Sequence, residues 1–169
     1  MISDPIEFEL FKNALFGVAD EMALTVFRTT YSGVLKDNMD YSTAMFDGAG
    51  VLVAQGLTLP GHLGSMPTAI AALKTAYAGR IDSGDVFILN DPFQGGMHLP
   101  DIFVFKPIFR PPASPSPAGG VGQGGGGEAL IAWAGTVCHH TDVGGRVPGS
   151  NASDSTEIYQ EGLLSLIHI

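Results

Sequence analysis

The residues in this sequence best suited to chemistry are two short clusters of histidine and aspartate, about forty positions apart. His98 and Asp101 stand in GGMHLPDI, an imidazole and a carboxylate on either side of Leu99 and Pro100. Proline fixes one backbone angle and biases the residue before it away from helix, so the segment reads as a shaped loop able to converge both side chains. The second cluster, CHHTDVGG, places His139, His140 and Asp142 at the end of an apolar run. Imidazole nitrogen and carboxylate oxygen together suit borderline divalent ions such as manganese, iron(II) or zinc. Three protein ligands leave positions open for water or substrate. Each cluster alone is short, and a histidine at a strand end more often makes an ordinary hydrogen bond. Successive strand residues point to opposite faces, so only one of His139 and His140 can face a given site. Asp142 shares the side of His140 and reads either as a ligand or as support for one.

Other residues enter as candidates beside plainer readings. Gly95, Gly96, Gly144 and Gly145 flank the clusters, where a missing side chain lets backbone approach a substrate or simply permits a turn. His62, in GHLGS ahead of an expected helix, is a substrate-binding candidate or a structural histidine. Asp37, Asp40 and Asp91 are loop acids of the kind that form turns and caps. Asp40 is kept with His140 and Asp142 as a candidate catalytic proton carrier, and Asp91 as a substrate contact. Cys138 concludes an apolar strand, which suits a small buried hydrophobe better than a nucleophile. Arg28 and Lys36 read as surface residues.

The elements that must position these groups follow from pattern. Asp4, Pro5 and Glu7 make a helix start, and Phe8, Phe11, Leu15, Val18, Met22 and Val26 recur as one core-facing stripe to about Thr29. Segments 42–46 and 51–55 flank Asp47-Gly48 and predict a hairpin. Pro67 suggests the start of a second helix over 67–78, closed by Gly79. Segments 85–90, 102–109 and 129–138 are rich in branched and aromatic residues, as buried strands are. The order predicts an α+β fold with a mixed or antiparallel sheet. The stretch 111–128 is so rich in glycine and proline that it predicts a surface loop rather than a phosphate-binding one, since no GK[ST] follows. The ending LSLIHI, 164–169, brings no cap or turn and is expected to be a tail or the scar of a truncation.

Composition narrows the partners. With 8 Lys+Arg against 17 Asp+Glu the formal charge is −9, which repels a phosphate backbone, so nucleic acid is not expected. One cysteine cannot form an internal disulfide, and MISDPIEFEL has neither the basic segment nor the apolar core of a signal peptide. A cytoplasmic protein with no membrane span is expected.

The segments RTTYSGVLKDNMDYSTAMFD, HLGSMP, GDVFILNDPFQGGMHLPDI, HHTDVGGRVPGS and DSTEIYQEGL, in this order, resemble successive blocks of the hydantoinase B/oxoprolinase family. The resemblance covers residues 4 to 163 and makes 1–163 the N-terminal part of such a domain. It implies a divalent ion, manganese, zinc or iron, held by His98, Asp101 and His139, with His139 favoured over His140. It implies a division of labour in which an ATP-using hydantoinase A-type subunit phosphorylates a carbonyl or enol oxygen, ATP being bound there and not on this chain. The favoured reading is metal-assisted opening of a cyclic amide such as hydantoin or 5-oxoproline, with a fragment inactive by itself. Carboxylation of a ketone-derived substrate, as in acetone carboxylase, and a non-catalytic assembly module are the alternatives.

Overall fold

The structure, a computed structural model, describes residues 4–56, 58–110 and 129–168; the expected loop over 111–128 lies outside the described residues. Helix α1 spans Pro5–Thr29, α2 Gly33–Asp37 and α3 Pro60–Ala76. The strands are β1 (Tyr41–Asp47), β2 (Leu52–Gln55), β3 (Phe87–Leu89), β4 (Asp101–Arg110), β5 (Ala129–His139) and β6 (Leu166–His168). They form one sheet in the order β2-β1-β5-β4-β3-β6, and every pairing is antiparallel. The fold is α+β, as the order of elements predicts. Strand β6 comes from the segment read as a tail and pairs with β3.

Alternation along the strands sorts side chains to two faces. Ala44, Phe46, Phe87, Leu89, Phe103, Phe105, Trp133 and Val137 pack on one face against Leu63, Met66, Ile70 and Leu73 of α3. Burying each of those helical side chains contributes roughly 1.5–3 kcal/mol. On the other face Met45 and Ala54 meet Ala19 of α1, while Tyr41 meets Ala23 and Leu35. Gly135 sits between the rings: a Cβ there would lie 2.8 Å from Phe105 and 3.0 Å from Phe46.

Three expectations change. Helix α3 begins at Pro60, a full two turns before Pro67, which lies inside it. A proline there removes one backbone hydrogen bond, but the buried series Leu63, Met66, Ile70, Leu73 runs through it and outweighs that loss. Along α1, Ala19 and Ala23 are buried and Leu15, Met22 and Val26 pack beside them, but Phe8, Phe11 and Val18 are exposed. The sheet approaches α1 through small alanines, so the bulky residues nearer the N-terminus point outward. In the hairpin, the left-handed residue is Gly50 (φ +89°) rather than Gly48. Asp47 O accepts from Gly50 N at 2.9 Å and Asp47 N donates to Val51 O at 2.9 Å, closing a three-residue loop. Gly48 is required by proximity instead, since a Cβ would stand 2.7 Å from the Leu130 carbonyl oxygen.

Urea unfolding checks this assignment of core and surface. Trp133→Ala is expected to lower stability by about 3–5 kcal/mol, as for a large core aromatic. Phe8→Ala is expected to change it by less than about 0.5 kcal/mol, as at an exposed position; equal losses would place α1's N-terminal half in the core.

Candidate metal centre

The site lies where β4 begins and β5 ends, on the face covered by α3. Asp101 and His139 are register partners across the two strands. Opposed residues of an antiparallel pair carry their Cβ atoms within about 4.5–5.5 Å. Phe103 and Val137, two residues inward on each strand, are wholly buried against α3, so alternation puts Asp101 and His139 on that same face. His98 arrives through a four-residue turn in which Asp101 N donates to the His98 carbonyl at 3.0 Å, with Leu99 and Pro100 buried between them.

The Asp101 carboxylate divides its oxygens between two imidazoles. Oδ2 is 2.5 Å from His98 Nδ1 and Oδ1 is 3.0 Å from His139 Nδ1. The two rings stack with centroids 5.0 Å apart and planes 29° from parallel. One donor atom from each of the three residues falls within 4.8 Å of the others, close enough to share one ion. Asp101 is 1% exposed, His139 24% and His98 51%. The anion therefore forms the floor, and the imidazoles rise toward solvent. Among the described residues the ion-pair partners of Asp101 are His98, His139 and His62, with no lysine or arginine. A buried carboxylate with only histidines for company is a donor set that fits a divalent cation.

A cleft of about 250 Å³ opens above the triad, lined by His98 and His139 and, opposite, by Gly149, Ser150, Asn151 and Glu161. Two pairings hold that far wall: Arg146 N donates to Gln160 O at 2.8 Å, and Leu163 N donates to Val143 O at 2.9 Å. Gly145 makes this approach possible, because a Cβ there would lie 2.7 Å from the Glu161 carbonyl oxygen.

Several expected site residues occupy other places. His62 is in the first turn of α3 and buried; its Nε2 is 3.4 Å from Asp40 Oδ1 and 3.6 Å from Asp101 Oδ1. Asp40 joins the neighbourhood through its backbone too, its carbonyl accepting from His139 N at 3.0 Å. Asp91 caps the turn Pro92–Gln94, accepting from Phe93 N at 2.8 Å, and its carbonyl takes Gly96 N at 2.9 Å. Gly95, at φ +92°, packs so tightly on α3 that a Cβ would meet Ala69 N at 2.6 Å. Asp142 accepts from Gly144 N at 2.7 Å and Gly149 N at 3.4 Å, bracing the loop behind the cleft. His62, Asp91, Gly95, Gly96, Gly144 and Gly145 are not among the described residues that line the cleft. His140 is exposed, its N–H donating to Pro100 O at 2.7 Å. Partial desolvation first, then neighbouring His139, pushes its imidazole below the ordinary histidine pKa against an upward pull from Asp101.

Two residues escaped sequence reasoning. Asn90, 1% exposed, donates to Leu99 O at 2.8 Å and Leu163 O at 2.7 Å and accepts from Ser165 N at 2.8 Å. It ties the His98 turn to the cleft's far wall, and its polar amide ending the apolar run FIL was the available signal. Glu161 carried none, since its place depends on a loop pairing with no periodic pattern.

The match of the hydantoinase B/oxoprolinase family pattern to residues 4–167 decides the affiliation. The chain belongs to the hydantoinase B/oxoprolinase family. Relatives include 5-oxoprolinase of Saccharomyces cerevisiae, 38% identical over 159 residues that make up 94% of this chain and 11% of the yeast protein. Caprolactamase subunit beta of Pseudomonas jessenii is 37% identical over 162 residues, 95% of this chain and 25% of that subunit. The crystal structure of the ATP-dependent caprolactamase from that organism superposes with a TM-score of 0.81 at 32% identity, over 99% of this chain and 26% of the other. A nucleotide-free acetone carboxylase shares the fold, with a TM-score of 0.78 at 23% identity, over 96% of this chain and 20% of the other. The chain therefore spans between a tenth and about a quarter of the length of these proteins.

Cys138 is one residue from His139, yet alternation sends it to the opposite face, beside Tyr41 and Ala23. Burial pushes its thiol pKa up, only partly countered by the Thr136 hydroxyl. Thiolate is the reactive form, so alkylation by iodoacetamide at pH 7.5 is expected to run well below the rate of free cysteine and to accelerate only above the usual thiol range. A rate matching free cysteine at pH 7.5 would contradict this placement.

Proposed function

We propose that this chain is the ion-holding part of a hydrolase that opens the C–N bond of a cyclic amide, such as hydantoin, 5-oxoproline or a larger lactam. It works with an ATP-using hydantoinase A-type subunit in the cytoplasm. The observation that carries this reading is the buried Asp101 carboxylate bridging His98 and His139 beneath an open cleft. Family membership supports the substrate class, since 5-oxoprolinase and caprolactamase are among the relatives. No helix among the described residues is long and apolar enough to cross a membrane.

In this reading His98, Asp101 and His139 hold one divalent ion, manganese, zinc or iron, which supplies Lewis-acid polarisation of a substrate oxygen or a bound water of lowered pKa. Asp101 fixes the floor of the site. His98 and His139, stacked above it, leave the approach to the cleft open. The partner subunit's role is to phosphorylate the amide oxygen; water then adds at the carbon, the C–N bond breaks with the ring nitrogen taking a proton, and a second water releases inorganic phosphate from the acyl phosphate that remains. Protons are handled by Asp40, His140 and Asp142; Asp40 reaches the triad through His62, and His140 adjoins His139 in the chain. Asp142 contributes mainly by bracing the Gly144–Gly149 loop, whose far end lines the cleft.

Metal analysis and activity test the proposal together. The purified chain is expected to retain one divalent ion per molecule, and Asp101→Asn to lose it while remaining folded. In a full-length family member, assayed with its ATP-using subunit, the matching substitution should lower ATP-dependent ring opening of 5-oxoproline, hydantoin or caprolactam by about 100-fold or more. A folded wild-type chain that takes up no divalent ion would contradict the reading.

A further inference from the structure

His62 is 5% exposed and stands behind the donor triad, so its ring nitrogens must find partners inside the protein. Nδ1 lies 3.4 Å from Ser42 Oγ, whose one hydrogen can reach either Nδ1 or Leu59 O, 2.9 Å away; turned to Nδ1, it leaves the ring's N–H on Nε2. The pairing anchors one edge of the imidazole to β1 and to the residue just before α3. The opposite edge is thereby aimed between two carboxylates, 3.4 Å from Asp40 Oδ1 and 3.6 Å from Asp101 Oδ1. The same Asp101 Oδ1 faces His139 Nδ1, while Oδ2 faces His98. The carboxylate is thus fixed in rotation by imidazoles at both oxygens, and His62 belongs to the rigid helix rather than to a loop.

We propose that His62 is a positioning residue: it keeps the Asp101 carboxylate turned toward His98 and His139, and keeps Asp40 from swinging away, without touching substrate. This rests on the reading of the triad as an ion-holding site. A partner of this kind restricts the rotation of a ligand carboxylate before the ion arrives, and its loss characteristically weakens ion binding by about 10–100-fold. His62→Leu keeps the volume and removes both nitrogens. His62→Gln restores an amide N–H at the reach of Nε2.

The experiment is calorimetric titration of the ion-free proteins with Mn2+ and with Zn2+ at one fixed pH, alongside their thermal melting. The leucine variant is expected to bind about 10–100-fold more weakly than wild type while still melting as a cooperatively folded protein, and the glutamine variant to recover most of the affinity. Equal affinity of the leucine variant and wild type overturns the inference alone; so does a folded glutamine variant as weak as leucine. A wild-type protein that binds neither ion overturns the reading of the site and this inference with it. Should the leucine variant fail to fold, Ser42→Ala, which frees the Nδ1 edge, decides: weakened binding supports the proposal and unchanged binding overturns it.

Discussion

A carboxylate taken out of water loses several kcal/mol of hydration unless opposite charge and hydrogen-bond donors replace it. Asp101 is such a carboxylate, 1% exposed at the first position of a central strand. The arrangement around it follows from that demand. Strand β5 must run beside β4 in the register that opposes His139 to it, the Leu99-Pro100 turn must fold His98 back, and α3 must start early enough to bring His62. A one-residue slip of β5 would present His140 instead and turn Cys138 onto the core face in place of Val137. Trp133, Val137, Phe103 and Phe105, packed on the same face, hold that register, so core and candidate centre are stabilised by one set of contacts.

Much of this was legible because period-two patterns and proline chemistry are local. The segment 129–138 reads as a strand from its branched and aromatic residues, and alternation alone limits the site to one of the two histidines that follow it. Which one was not legible from spacing, because the choice depends on register against β4, a pairing between segments some thirty residues apart. The α3 boundary was misplaced because Pro67 is a strong local start signal, whereas the apolar series beginning at Leu63 becomes decisive only with a sheet to pack on. The α1 stripe misled for a related reason. Its periodicity is real, but closeness to the sheet is set by Ala19 and Ala23, whose small side chains let the strands approach.

The glycines show how one residue type divides its work. Gly145 and Gly162 sit where the segment after β5 folds onto the segment carrying Glu161, each with backbone of the other segment within 3 Å of where a Cβ would stand. Gly95 does the same between the Asp91 turn and α3. These close approaches join neighbouring segments, so glycine beside a polar cluster here reports how tightly those segments pack.

The most direct test of the account is anomalous diffraction from crystals of this chain grown with Mn2+ or Zn2+. One strong peak is expected at about 2.0–2.2 Å from a ring nitrogen of His98, a carboxylate oxygen of Asp101 and a ring nitrogen of His139, as such donors require. A peak bound elsewhere, or an ion-saturated crystal in which Asp101 still contacts only its histidines, would contradict it.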